Sequence, residues 1–350
     1  MIATLLAGVV LLHGFAMAGA PVRVFTQSAY AVGPDGRELP RVLIDPEADG
    51  GLSEAAYPLG RGRRLCVRTD LPASRLGGLD DLAARVARGY EHVEAATGRR
   101  VAGGVLLYLV DRPVPPPAYT FRAELSGIEN WVQVRVVLIG AGDALWGPAE
   151  APQLREFLLD TLPHELGHGL IDAAPTVRQD HDGGAPTGTR WFVDGVCESL
   201  AKGFAAREDR AAARSLLARR HVDEVLDRPG VRGRLLSWHS GSELSWELES
   251  DLYGAAFLLT EAWLETRPLD ALLADLAATG GDHDGGALLD RLRADTGLPL
   301  AAILDRAAGL GRALLAPPPR QVTLLRRKGN GPPPGGPFPR PIDLAISDRD

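Results

Sequence analysis

The hydrophobic pattern of this chain changes character near Trp146-Gly147-Pro148. Before that point, short runs rich in Val and Leu surround one long helical pattern. After it, nearly every segment as far as Ala316 has helical spacing. A chain of 350 residues is also long enough to bury a large core. We therefore predict an α+β fold, in which a small mixed β-sheet with helices forms an N-terminal lobe that packs on a mainly helical C-terminal lobe.

Individual elements follow from the same periodicities. The predicted strands are residues 65–71, 103–111 and 130–140, and the predicted helix of the first lobe covers residues 79–98 and ends at Gly98. The predicted helices of the second lobe are residues 152–171, 191–204, 207–221 and 252–265, with two more that end near Leu315.

Composition divides the chain into four segments. Residues 1–20 hold an apolar run followed by small residues, with Ala16-Met17-Ala18 fitting a cleavage signal, and predict a signal peptide or a membrane anchor. Residues 21–62 predict an irregular or β-rich N-terminal arm, residues 63–316 the main domain, and the Pro/Gly-rich residues 317–350 a disordered tail. Either form of the first segment places the rest of the chain outside the cytoplasm, secreted or periplasmic. Membrane contact is expected only through that anchor.

Charge and cysteine content exclude some functions. The net charge of −7 comes from interspersed Asp, Glu and Arg, without the basic patch that nucleic-acid binding requires. Cys66 and Cys197 are the only cysteines, and they form either one disulfide or two buried thiols. Two cysteines are too few for a four-thiolate zinc site. Any metal must therefore rely on His and carboxylate ligands.

The sequence His164-Glu165-Leu166-Gly167-His168 lies within one of the predicted helices. Because His164 and His168 are four residues apart, their imidazoles project from one helical face and can bind one ion. Glu165 lies about 100° round the helix, where it can reach a metal-bound water without being a ligand. The motif therefore predicts a zinc site with Glu165 as general base.

A catalytic zinc needs a third protein ligand and an open fourth position. Six residues after His168 the chain has Ala174, not the third His of the metzincin pattern. His181 is a candidate, but it lies in a Gly-rich loop, and a loop is a poor platform for a preorganised ligand.

A better candidate lies in residues 191–198, WFVDGVCE. This segment and HELGH together resemble the gluzincin clan of zinc metallopeptidases, which includes thermolysin and the aminopeptidase N family. There, HExxH on one helix is followed on the next by a W-[LF]-x-E-G-x-A-E-like segment whose first Glu is the third zinc ligand. Trp191 and Gly195 match that segment, Asp194 stands at the ligand position with one methylene less, and Glu198 matches the second acidic position.

The resemblance implies a zincin-like fold in which His164, His168 and Asp194 bind Zn²⁺. Glu198 is the alternative third ligand, and whichever carboxylate is not the ligand would orient a ligating His. The resemblance also extends to residues 253–259, YGAAFLL, where Tyr253 matches a Tyr that opens a later helix and stabilises the oxyanion. His239, in a Ser-rich loop, is the alternative to Tyr253.

These motifs predict a secreted zinc-dependent peptidase that acts on peptides or proteins. Two alternatives remain open: a gluzincin-like protein that binds without turnover, and a zinc hydrolase of a non-peptide amide or ester. Residues 126–130, SGIEN, end 34 residues before His164 and weakly match the G-x-M-E-N segment with which aminopeptidases anchor the substrate amine. Glu129 is accordingly the candidate anchor if the protein is an exopeptidase.

Overall fold

A computed structural model describes the chain within its first 316 residues. The described ranges are 22–26, 31–32, 38–39, 53–69, 71–72, 78–101, 104–110, 118–125, 129–137, 152–173, 177–178, 187–239, 244–281 and 283–316. The predictions for residues 1–20, residues 317–350 and His181 lie outside these ranges, and the division into four segments stays a prediction. Within the described residues, no helix has both the length and the apolar character needed to cross a membrane.

Six strands form one mixed sheet in the first lobe. They are β1 (Val22–Thr26), β4 (Ser53–Gly60), β5 (Arg63–Thr69), β6 (Gly104–Val110), β7 (Ala118–Leu125) and β8 (Glu129–Val137), and the short strands β2 (Ala31–Val32) and β3 (Glu38–Leu39) pair separately. The order in the sheet is β1-β7-β8-β6-β5-β4. Strands β5, β6 and β8 are parallel neighbours, whereas β4, β7 and β1 join by antiparallel pairing. The three predicted strands are confirmed as β5, β6 and β8, and β1, β4 and β7 are additional strands of the same sheet.

The first helix, α1 (Leu79–Thr97), connects the parallel strands β5 and β6. It ends as predicted at Gly98, which adopts the positive φ of 64° that favours glycine. Alternate residues of the two strands are buried, as period-two patterning requires, and they share one core with the apolar face of the helix. The core residues are Leu65, Val67, Val105, Leu107 and Leu109 of the strands and Leu82, Val86, Tyr90 and Val93 of the helix.

The second lobe is helical. Its helices are α2 (Pro152–Glu156), α3 (Leu162–Ala173), α4 (Arg190–Glu208), α5 (Arg210–Arg219), α6 (Val231–Leu235), α7 (Trp246–Leu264), α8 (Leu269–Ala278), α9 (Gly285–Thr296) and α10 (Leu300–Leu315). The α+β prediction is confirmed. Three details were wrong: the short helix α6 was not predicted, three helices, rather than two, follow α7, and α7 begins at Trp246 instead of Leu252. Ser245 sets that earlier start because its hydroxyl caps the helix, accepting a hydrogen bond from the Leu248 amide at 3.4 Å.

A π-helical turn, Phe157–Thr161, joins α2 to α3. Its register is shown by the Leu162 amide, which donates to the carbonyl of Phe157, five residues earlier. Pro163 follows directly and has no N–H with which to continue an α-helical ladder. The proline therefore accounts for a local change of register immediately before the two histidines.

Helix α4 packs tightly against both α3 and α7 because glycine lies at each close approach. A Cβ atom on Gly167 of α3 would lie 2.9 Å from the Cys197 sulfur, and one on Gly195 of α4 would lie 2.6 Å from the Ala256 carbonyl oxygen of α7. Real Cβ atoms are not found so close to other heavy atoms. Gly167 thus lets α4 lie close against the helix that carries the histidines, and Gly195 lets α7 lie close against α4 beside Asp194.

Candidate metal centre

His164 and His168 occupy successive turns of α3 and are both buried. Their Nε2 atoms are 3.1 Å apart, with the rings inclined at 63°. Two imidazole nitrogens at this separation can bind one cation between them, since a helix places residues i and i+4 on one face.

Asp194 of α4 brings a third donor atom to the same point. Its Oδ1 lies 3.2 Å from Nε2 of His168 and 3.6 Å from Nε2 of His164. Zinc with bonds of about 2.0–2.1 Å in a tetrahedral site separates its ligand atoms by roughly 3.3–3.4 Å. The three observed distances, 3.1, 3.2 and 3.6 Å, bracket that separation. The donor set therefore fits zinc without a change of backbone position.

The two oxygens of Asp194 have different surroundings. Oδ2 accepts a hydrogen bond from Nε of Arg190 at 2.9 Å. Oδ1 is buried and has no hydrogen-bond partner among the described residues. A buried carboxylate oxygen without a hydrogen bond is costly unless something else balances it. Oδ1 is therefore the oxygen that suits a metal ligand.

Glu198 lies one turn further along α4 and reaches a different atom. Its Oε1 is 3.4 Å from Nδ1 of His164, on the side of the ring away from the Nε2 pair. Lys202 and Arg220 also contact this carboxylate, at 2.6 Å and 3.2 Å. A carboxylate beside the second nitrogen of a ligating His fixes the ring and its tautomer. Both Asp194 and Glu198 are buried, with 2% and 1% exposure, so neither is an ordinary solvated helix carboxylate.

Cys197 offers another donor near the histidines. Its Sγ lies within 4.8 Å of one nitrogen of His164 and one of His168. The sulfur also faces the backbone of α3 at Gly167, where the two helices are in closest contact. Asp194 fits better as the third ligand because its Oδ1 approaches Nε2 of both rings at zinc-like separations. Cys197 and Cys66 are not joined by a disulfide.

The pKa shifts of His164 and Asp194 follow from the opposite charges that surround each group. Burial alone would lower the pKa of His164, but the neighbouring carboxylates of Asp194, Glu198 and Glu165 raise it to about 10. Burial alone would likewise raise the pKa of Asp194, but the charge of Arg190 and the two adjacent imidazole rings hold it well below its usual range. The carboxylates therefore supply the electrostatic environment that a cation site requires.

Glu165 and Tyr253 lie beside the donor set. Glu165 follows His164 on α3 and is partly exposed, unlike the buried histidines. Tyr253 lies in the second turn of α7, half-buried, with its ring centroid 5.8 Å from that of His164. Tyr253 does not open its helix, contrary to the prediction, because the Ser245 cap starts α7 seven residues earlier than this tyrosine. Its ring is nonetheless close to that of His164.

Two weaker candidates remain, His239 and Glu129. His239 is half-buried in the coil after α6, directly after Trp238. Glu129 is the first residue of β8 and pairs with Leu125 of β7.

Charged residues around the carboxylates were not singled out from the sequence. They are Arg190, Lys202, Arg220, Asp160 and Glu249. Arg190 and Lys202 have a sequence signal, since they lie four residues before Asp194 and four after Glu198 on the same helix. Asp160, Arg220 and Glu249 come from the π-helical turn, the C-terminal end of α5 and α7, and only the tertiary fold brings them to the site.

No protein-family model matches this chain, and no curated protein matches it. Among solved structures, it is similar to an aminopeptidase N family protein from Idiomarina loihiensis, with a TM-score of 0.50 and 11% identity over 74% of this chain and 46% of that one. It is also similar to an M1 zinc metallopeptidase from Deinococcus radiodurans, with a TM-score of 0.43 and 16% identity over 85% of this chain and 62% of that one. The chain thus spans less than two thirds of either protein. The first similarity shows the fold, and this chain has the gluzincin-type metallopeptidase fold that its motifs predicted.

Proposed function

We propose that this protein is a zinc-dependent peptidase that hydrolyses peptide bonds outside the cytoplasm. The observation that carries the proposal is the convergence of His164 Nε2, His168 Nε2 and Asp194 Oδ1 at mutual distances of 3.1–3.6 Å. The gluzincin-type fold supports a peptide as substrate. Export rests on the sequence of residues 1–20.

In this proposal His164, His168 and Asp194 hold the zinc ion, and Glu198 fixes the His164 ring through Nδ1. Zinc, when bound, supplies a Lewis acid that lowers the pKa of water and polarises a carbonyl group. Glu165, which is partly exposed beside the buried His164, accepts the proton of the attacking water and passes it to the leaving amine.

Tyr253 serves the oxygen of the scissile carbonyl. Its phenol lies on the His164 side of the site and accepts a hydrogen bond from Arg190 at 3.0 Å. Since a phenol has one proton and can both accept and donate, Tyr253 keeps its own hydrogen for the oxyanion that develops on the substrate.

The proposal is tested with Glu165→Gln. We expect this variant to keep one zinc per chain, measured by inductively coupled plasma mass spectrometry, because Glu165 is not a ligand. Hydrolysis of a library of quenched fluorogenic peptides should fall by about 10²–10⁴-fold, the contribution typical of a general base. Wild-type activity should also disappear with a chelator and return with added zinc.

A wild-type protein that takes up no zinc, or a Glu165→Gln variant as active as wild type, would overturn the proposal. Bound zinc with no cleavage of any peptide, but turnover of aryl esters or acyl amides, would instead identify the non-peptide hydrolase. Bound zinc without turnover of either substrate class would identify a binding protein.

A further inference from the structure

Arg190, in the first turn of α4, contacts several groups of the candidate site at once. Nε donates to Oδ2 of Asp194 at 2.9 Å, and Nη2 donates to Oε1 of Glu249 at 2.8 Å and to the hydroxyl oxygen of Tyr253 at 3.0 Å. The guanidinium also stacks 4.1 Å from the centroid of the Trp238 ring. One side chain thereby links the third ligand to the oxyanion donor.

We infer that Arg190 is a positioning residue that makes Asp194 a one-oxygen metal ligand and keeps Tyr253 directed as a hydrogen-bond donor. The inference deepens the proposed function and rests on it. It also answers a question that the sequence raises, namely how an Asp serves where the resembling clan has the longer Glu.

The first step concerns Asp194. A carboxylate can bind a metal through one oxygen or both. Arg190 engages Oδ2 and leaves Oδ1 directed at the two Nε2 atoms. Because Arg190 and Asp194 are four residues apart on one helix, their pairing also restricts the rotamer of the aspartate. The shorter side chain is therefore held with its one available oxygen in place.

The second step concerns Tyr253. A guanidinium has donors only, so the tyrosine oxygen must act as the acceptor in their hydrogen bond. The phenol hydrogen remains for a different acceptor. Trp238 packs edge-on against the Tyr253 ring, with centroids 5.0 Å apart at 88°, and fixes the ring plane. The tyrosine is thus oriented through both its ring and its oxygen.

The third step concerns charge. A guanidinium this close to a cation site would oppose metal binding if its charge were not balanced. Glu249, which is buried, pairs with Arg190 and supplies a second negative charge beside that of Asp194. Arg190 can therefore orient Asp194 while the cluster keeps negative charge for the metal.

The test compares Arg190→Met and Arg190→Lys with a matched control, Arg63→Met. Arg63 is similarly buried, with 6% side-chain exposure against 12% for Arg190, and it also pairs with a carboxylate, Glu94, and stacks on a ring, Tyr90, at 4.5 Å. It lies in the β-sheet lobe and touches no candidate ligand. The control reports the general effect of losing a buried, stacked arginine.

Zinc affinity is measured by competition with a chromophoric chelator, and coordination by the visible absorption spectrum of the Co²⁺-loaded protein. We expect Arg190→Met to lower zinc affinity by about 10–100-fold, as loss of a group that orients a ligand does, and to alter the Co²⁺ spectrum. Arg190→Lys should recover only part of the loss, because an ammonium lacks the planar fork that contacts three partners. Arg63→Met should leave both readouts unchanged.

A second readout follows the tyrosine. At saturating zinc, Arg190→Met and Tyr253→Phe should each lower kcat for a cleaved fluorogenic peptide, and the double variant should lose less than the product of the two effects. Independent, multiplicative effects would overturn the link between Arg190 and Tyr253.

The remaining outcomes separate the two proposals. If wild type binds zinc and Arg190→Met binds it as tightly with the same Co²⁺ spectrum, this inference is wrong and the proposed function stands. If wild type takes up no zinc, the proposed function fails and the inference fails with it. If Arg190→Met does not fold, the inference is tested with Arg190→Lys instead. An Arg190→Lys protein with the zinc affinity and Co²⁺ spectrum of the wild type would contradict the inference.

Discussion

Asp194 and Glu198 lie one turn apart on the same buried face of α4, yet their surroundings differ. Asp194 pairs with one cation, Arg190, and turns its other oxygen to Nε2 of both histidines. Glu198 pairs with two cations, Lys202 and Arg220. Its Oε1 lies near Nδ1 of His164 rather than near the Nε2 atoms.

The difference lies in how much negative charge each carboxylate retains for a metal. Burial alone would raise the pKa of Glu198, but the charges of Lys202 and Arg220 hold it well below its usual range. Two nearby cations thus already balance the charge of Glu198. Asp194 shares its one cation with Glu249 and keeps an oxygen without a hydrogen bond. Sequence alone makes both carboxylates candidates, and their different partners support the different roles proposed for them.

Asp194→Ala tests most directly whether Asp194, rather than Glu198, is the third metal ligand. We expect zinc affinity to fall by more than about 100-fold, beyond the range seen when only an orienting partner is lost, because two histidines remain where three protein ligands are needed. Zinc per chain after dialysis, measured by mass spectrometry, should drop from one to nearly none.

The control for that variant is Asp251→Ala. Asp251 of α7 is also a buried carboxylate paired with an arginine, Arg228, at 2.7 and 2.9 Å, and its other ionic contact is with His221 rather than with His164 or His168. It should retain a full zinc complement. Retention of zinc by Asp194→Ala, with its loss on removal of Glu198, would reverse the assignment.

The parts of this site that were predictable from sequence are those with local causes. The helical period places His164 and His168 on one face whatever the rest of the chain does. Trp191, Asp194 and Gly195 likewise lie on one helix, so their relative positions follow from the helical period. The large Trp191 and the small Gly195 also indicate from the sequence where this helix packs against others. Gly195 permits the close approach of α7, and Trp191 stacks on Trp263 with centroids 6.3 Å apart.

The parts that were not predictable depend on contacts between elements far apart in sequence. Arg220 reaches Glu198 from α5, and Asp160 reaches Lys202 from the π-helical turn. We attribute that turn to Pro163. A proline inside a helix can cause a kink, a break or a local change of helix type, and the sequence alone does not indicate which of these occurs. The start of α7 was placed too late because the polar first turn, Glu247 to Asp251, masks the apolar period that defines the helix.

Glu198→Gln tests the role proposed for Glu198, and we expect it to lower zinc affinity less than Asp194→Ala does. The amide keeps the shape of the side chain but removes the charge that faces Nδ1 of His164. Zinc affinity should fall by about 10–100-fold, as for other groups that orient a ligating His. The Co²⁺ spectrum should keep the form of the wild-type protein because all three ligands remain. A loss of zinc as complete as in Asp194→Ala would indicate that Glu198 is itself a ligand.

The smallest effect on metal binding is expected from Lys202→Met. Lys202 is buried between Asp160 and Glu198, both within 2.6 Å of its Nζ. Removing one partner from a buried ionic cluster costs roughly 3–5 kcal/mol of folding free energy, because the remaining charges are left uncompensated. Urea unfolding of the zinc-free protein should report that loss.

Zinc affinity of Lys202→Met should nevertheless change by less than about tenfold, below the effect of losing an orienting carboxylate. Arg220 still holds Glu198, and the variant removes a positive charge from the neighbourhood of the metal. The double variant Lys202→Met/Asp160→Asn should regain part of the stability, because it removes the charge of Asp160, which Lys202 no longer balances. A large loss of zinc affinity in Lys202→Met would mean that Glu198 is oriented mainly by Lys202, and that Arg220 cannot hold its carboxylate against His164.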